Sequence, residues 1–275
     1  LNPAGAGCQR PASAGAVGTS VRRPVRLNSW GAFQQSWAGL GQQPLLLVFS
    51  LSALGTHFLG WALFAAAEPV ESGVLAALLH LSGIALYGGS LIWMIEGFTL
   101  AGLAIARGQS IHWHELSPAE CRHGGRLCLH LILLAGALGA VALITGVCWS
   151  LALLLLPGLS AVPALIGLMA AGGVVISQLF GPCLVLDTDL TGIALFRQGM
   201  WLMERHGPGL LLLCSGLITL LCIPVLLGLV AEGLTPGFGP PTTALTLVVV
   251  LPLLTTTVTG AYAQLRPELQ NTPPA

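Results

Sequence analysis

The chain has 275 residues, of which 55% are hydrophobic and only 7% charged, and its ten basic side chains are balanced by ten acidic ones. An ordinary soluble domain carries about 25% charged residues, so a globule of this composition could not keep its surface wet, and lipid must cover part of it. Zero net charge also excludes the basic field that would draw nucleic acid to the molecule.

Residues 1–28 are rich in Gly, Ala, Pro and Ser and carry Arg10, Arg22, Arg23 and Arg26. No apolar core follows at signal-peptide distance, and the stretch behind Arg22-Arg23 is amphipathic, so a disordered tail is expected here. Trp30, Phe33, Trp37 and Leu40 then recur at i, i+3, i+7 and i+10, which gathers them on one helical face. The same spacing returns at Ile193, Phe196, Met200 and Met203, with FQQ and FRQ at matching places and Pro44 and Pro208 behind them. Both segments are expected to lie in the membrane interface, anchored by Trp30, Phe33, Trp37, Phe196 and Trp201.

Apolar runs occupy about 44–66, 74–106, 124–156, 161–186, 208–231 and 241–263. Each satisfies the need for about 20 apolar residues to cross the hydrocarbon core. The second and third exceed it and must tilt, bend or project, with Gly88-Gly89 and Gly97 as candidate bends. Pro224 and Pro252 fall inside the last two runs, where neighbouring helices can satisfy the freed carbonyls. Small residues such as Gly136, Gly139 and Ala170 to Gly173 suggest close helix packing. The sequence therefore predicts an all-α, polytopic bundle of six transmembrane helices over 29–265, with cytoplasmic-side interfacial helices and a short tail at 266–275. The seven cysteines form no CxxC pair and are odd in number, which argues against a disulfide framework.

With an even number of spans, both termini share a side with the connections near 107–123 and 187–207, and all ten Arg fall there. The opposite loops hold Glu68, Glu71 and Glu232 and no basic residue. The positive-inside rule then places the termini in the cytoplasm of a plasma membrane, of the prokaryotic inner-membrane kind or its equivalent.

The most polar stretch is IHWHELSPAECRH at 111–123. Ser117-Pro118-Ala119-Glu120 reads as a capping box with Pro at the first helical position. His112, His114 and His123 are the candidate metal ligands, with Cys121 nearby; in an extended segment His112 and His114 would share a face. The order is not the H-E-x-x-H zinc pattern, and Arg122 and Arg126 oppose a cation. The expectation is a solvated interfacial loop anchored by Trp113, holding no metal or cofactor, in the place equivalent to the interfacial helices.

Glu96 is the candidate intramembrane functional residue, eleven positions before Arg107, with Arg197, Arg205 or a buried His as partner. His57, His80 and His130 lie on different runs and suit helix–helix hydrogen bonds. Asp187 and Asp189 precede an amphipathic segment, where capping of its N-terminus is the expected role. No nucleophile elbow, Walker or dinucleotide fingerprint is present, and no catalytic residue is assigned.

SWGAFQQSWAGLGQQPLLL, LAIARGQSIHWHEL and above all FGPCLVLDTDLTGIALFRQGMWLM resemble the YciC-like membrane proteins, and the membrane domain found beside some glycerophosphoryl diester phosphodiesterases. The resemblance covers about 29–265 and implies three units, each an interfacial segment followed by two crossings. It carries no catalytic residue across. The function expected is that of a non-enzymatic scaffold, assembly factor or accessory subunit, with the bilayer, other membrane proteins or further copies as partners. The alternative is a transporter or lipid-handling protein with a midplane site around Glu96.

Overall fold

The computed structural model describes residues 27–70, 72–117, 123–155 and 157–270. Among these residues the secondary structure is helical, without strands, and six helices are long and apolar enough to cross a membrane. The chain is a multi-pass membrane protein of the all-α class. The capping box expected at 117–120 lies largely outside the described residues, as do Glu120, Cys121, Arg122 and the tail before Leu27.

Helix α1 (Ser29–Gln42) starts where the Asn28 side chain accepts the Gly31 N–H at 2.9 Å, an N-cap that satisfies one of the free amides of the first turn. After Pro44 the chain enters α2 (Leu45–Ala67), then returns as α3 (Gly73–Ala106). The two cross backbone against backbone: a Cβ on Gly60 would stand 2.6 Å from the Tyr87 amide nitrogen, and one on Gly83 2.9 Å from that of Phe64. Lipid offers no hydrophobic push between helices, so such close approach supplies the dispersion contact that holds them. Helix α3 runs unbroken through Gly88, Gly89 and Gly97. At 34 residues it is about 50 Å long, against ~30 Å of hydrocarbon, so its end projects. It stops at Gly108, whose φ of +70° closes the last turn as the Gln109 N–H reaches the Ala104 carbonyl at 2.9 Å.

The described part of the connection to α4 (Gly124–Leu155) contains a tight turn, Trp113–Leu116. The segment expected as a solvated interfacial loop is thus built, over its described part, around a short turn with His112 to Glu115 exposed. Buried Ile111 and Leu116 pin it, and the Trp93 indole donates to the Leu116 carbonyl at 2.6 Å.

The fourth apolar run, read as continuous over 161–186, is divided into α5 (Ala161–Ser177) and α6 (Gly181–Asp187). Pro182 explains the break, because it lacks the N–H that would bond to the Gln178 carbonyl and its ring would crowd that oxygen. Helix α7 (Gly192–Leu234) joins the second amphipathic segment to the fifth span across a kink at His206, two residues before Pro208. Helix α8 (Gly239–Gln270) continues beyond 265, so Arg266 and Glu268, expected in the tail, stand on its final turns.

The two amphipathic segments bury corresponding positions: Ala32, Ser36 and Gly39 in α1, and Leu195, Gly199 and Leu202 in α7. Trp30, Trp37, Ile193 and Met200 are exposed, while Phe33, Phe196 and Trp201 are half-buried. The face against the protein is therefore the one beside the aromatics, small throughout in α1 and Leu-Gly-Leu in α7. Leu40, grouped with the aromatics by spacing, is buried.

Small-residue packing also falls elsewhere than expected. Gly136 and Gly139 meet no atom within 4 Å of a built Cβ, whereas Gly60, Gly83 and Gly167 lie against neighbours. Helix α4 buries only Leu127 and His130, and α5 only Gly167 and Ser177. The α4–α5 hairpin touches itself at Thr145 and Gly167; Leu127, Leu131 and Ile176 pack on the core, while large apolar side chains along both helices, Ile144, Leu154 and Met169 among them, are exposed.

Candidate functional site

Polar side chains gather where α3, α6 and α8 end and α4 begins. Asp187, the last residue of α6, keeps only 7% of its side chain exposed. Its Oδ1 accepts from the Arg107 guanidinium at 2.5 Å, its Oδ2 accepts from the Tyr262 hydroxyl at 3.1 Å, and Arg266 Nε stands 2.8 Å from Oδ2. One carboxylate thus ties the end of α3 to the last turns of α8. The expected helix-capping role is corrected: α7 begins only at Gly192, and Thr188 is the local turn former, its hydroxyl bonded to the Leu184 carbonyl at 2.6 Å. Asp189 is exposed.

Glu96 is 1% exposed. Its partners are neither Arg197 nor Arg205: Oε1 accepts the His123 backbone N–H at 3.1 Å, with the His123 ring nitrogen 3.8 Å away. Oε2 has no hydrogen-bond partner and lies near Gly124. The carboxylate therefore sits at the first turn of α4, where the helix dipole favours negative charge. That position is level with the start of α4.

A third group surrounds Glu268. His206 Nε2 is 3.1 Å and Arg205 Nε 3.3 Å from its Oε2, so the kink of α7 is held to the end of α8. Arg126 adds a further tie, donating to the Thr188 and Leu190 carbonyls at 2.5 and 2.9 Å, which fixes the loop between α6 and α7 to α4. All five described arginines, at 107, 126, 197, 205 and 266, belong to this end of the bundle; the far loops carry Glu68 and Glu232.

The histidine candidates separate. His112, in extended backbone, and His114, in the turn that follows, stack their rings at 5.7 Å. His123 is engaged with Glu96, and among the described residues no three His, Cys, Asp or Glu side chains converge as a metal site. His57 bonds to the Ser90 hydroxyl at 3.2 Å and packs on Tyr87, and His80 bonds to the Ala76 carbonyl at 2.9 Å. His130 is buried against Gly181. Trp113 is exposed beside the turn it belongs to.

Sequence reasoning passed over Asp187, Tyr262, Arg266, His206 and Glu268 as a connected set, because every partner is distant along the chain. A usable signal existed. Arg107, Asp187 and Arg266 each stand at the end of an apolar run, on the same expected side, with opposite charges.

Chemically, this end of the molecule is a set of ties. The oxygens of Asp187 are taken by two guanidiniums and a phenol, and the Glu96 carboxylate caps a helix. Among the described residues, no side chain here is set beside a base as a nucleophile would be. Two apolar grooves lie deeper: one of about 500 Å³ includes Thr99, Cys183, Cys214 and Thr259, and one of about 410 Å³ lies between Phe33 and Leu217. No protein-family model, curated protein or solved structure matches the chain.

Proposed function

We propose that this multi-pass protein is a non-enzymatic scaffold, assembly factor or accessory subunit of a membrane complex, with its arginine-bearing end in the cytoplasm. The observation that carries the reading is the α4–α5 hairpin. The two helices together bury four residues, and Gly136 and Gly139 stand open at membrane depth. Small residues on a lipid-facing helix let another helix approach closely. The rest of the bundle is tied at its charged end, so it can hold the hairpin in place for a partner helix. The resemblance to YciC-like proteins fits this reading, since it too concerns architecture.

The test is copurification of the tagged protein in mild detergent, beside a Gly136→Leu, Gly139→Leu double variant. A partner retained by wild type and lost by a normally folded variant supports the proposal. Wild type that purifies alone sinks it.

A second reading, lipid handling, draws on the divided fourth span and on the 500 Å³ groove lying against it. Interrupted helices line the binding sites of many transporters. Lipid-composition assays on cells carrying Cys214→Phe, which puts a larger side chain on the half-buried wall of that groove, should then show a shift; an unchanged profile removes this reading.

A further inference from the structure

Beside the Asp187 tie lies a pocket of about 350 Å³ that differs from the apolar grooves. Its wall includes Arg107, Asp187, Gln109 and Glu115, and its apolar part includes Leu100 and Leu186. We propose that it holds a phosphate–ammonium headgroup of the phosphoethanolamine type.

The charges around it argue for both halves of that group. Asp187 faces two guanidiniums, so the trio of Arg107, Asp187 and Arg266 retains one positive charge. Arg107 is 39% exposed and commits only one terminal nitrogen to Asp187, leaving guanidinium donors with no partner among the described residues. Guanidinium presents five donors in a planar fork that matches phosphate oxygens. Glu115, from the turn after α3, receives only the His112 backbone N–H at 3.3 Å, and none of the described cations pairs with it. Its carboxylate and the Gln109 amide oxygen are acceptors, suited to an ammonium that still carries hydrogens.

The depth fits a headgroup. The pocket opens between the projecting end of α3 and the turn that carries exposed Trp113, and tryptophan concentrates at the level of lipid headgroups. Leu100 and Leu186 extend the site toward the apolar spans, where acyl chains would continue. An anionic headgroup without an amine would meet Glu115 unfavourably, and a choline group would offer Glu115 and Gln109 no hydrogen to accept.

The test is native mass spectrometry of the full chain in mild detergent with equal amounts of phosphatidylethanolamine, phosphatidylglycerol and phosphatidylcholine. Wild type should retain phosphatidylethanolamine over the other two by about fivefold, the scale of one well-placed exposed ion pair. Glu115→Gln, at an exposed side chain whose one hydrogen bond is to the His112 amide, should bring the three to parity at unchanged melting temperature. Free phosphoethanolamine in excess distinguishes the source: displacement of the lipid supports recognition of the headgroup alone, and retention of lipid with its preference intact supports a membrane lipid. Equal retention of the three lipids by wild type, or a preference that survives Glu115→Gln, overturns the site.

Discussion

Asp187 and Arg266 meet at 2.8 Å although one ends the seven-residue helix α6 and the other stands near the end of α8. With Arg107 and Tyr262 on the same carboxylate, the pair decides where α6 lies after the break at Gln178–Phe180. Asp187→Asn removes the charge that two guanidiniums share. Hydrogen bonds to charged groups contribute about 1.5–3 kcal/mol each, and the arginines here are more than a third exposed, so a loss of ~2 kcal/mol is expected in total. Arg266→Gln leaves Arg107 and Tyr262 in place and should cost less than half as much. Thermal unfolding of the two variants in the same detergent gives the order; equal melting temperatures for Asp187→Asn and wild type would show that the tie carries no stability.

Glu96 acts on α4 from another helix, so its variants should separate shape from charge. Glu96→Gln keeps an oxygen able to accept the His123 N–H and should lose only the interaction with the helix dipole, about 0.3–1 kcal/mol. Glu96→Ala opens the cap and leaves a cavity, and should cost ~2 kcal/mol or more. If Glu96→Ala unfolds no earlier than Glu96→Gln, the capping role fails. Hydrogen exchange should report the loss first at the His123 amide, which loses its acceptor, and at Leu127, whose amide bonds to the His123 carbonyl at 2.9 Å.

The spans were legible because an apolar run of this length has one reading in a sequence so poor in charge. The paired amphipathic segments were legible too, through a periodicity that leaves its mark on both burial and exposure. What the pattern of Trp30, Phe33 and Trp37 did not reveal is which side the protein takes. In a bilayer both faces are apolar, and the small residues let the helix approach closely, Ala32 and Ser36 against Gly260 of α8 and Gly39 against Ile105 of α3. The charged end was legible as a list of residues and not as pairs. Asp187 looked like a helix cap because local rules place acids before helices, and only the fold brings Arg107 and Arg266 to it. Glu96 looked intramembrane because α3 was counted inward from Arg107, while the helix projects far enough to bring it level with the start of α4.

The arginine distribution yields a topology that fusions can check. A fluorescent reporter that matures only in the cytoplasm should be bright when joined after Ala275, and dark when inserted at Gly237 in the loop between α7 and α8. Changing Arg107, Arg197 and Arg205 together to Gln should weaken the bias and give a mixed population of reporters. Brightness at Gly237 in the wild-type chain would reverse the assignment of the two ends.

Glycines at membrane depth divide into those that hold this chain together and those left open, and one substitution at each kind distinguishes them. At Gly60 a Cβ would stand 2.6 Å from the Tyr87 backbone nitrogen, with the α3 main chain as the obstacle. Gly60→Leu must push α2 from α3, and overpacking of this kind costs about 1–3 kcal/mol where the neighbours yield and more where they are backbone. Gly139 meets nothing within 4 Å. Gly139→Leu adds a side chain into lipid and removes a weak helix former, so the isolated chain should gain up to ~1 kcal/mol. The two changes should therefore move the melting temperature of purified protein in opposite directions. If the proposed partner helix docks there in cells, Gly139→Leu should instead lower the amount of assembled complex. A melting temperature that falls at Gly139→Leu in the purified chain would mean that α4 already packs against a second copy at that position, making the partner this protein itself.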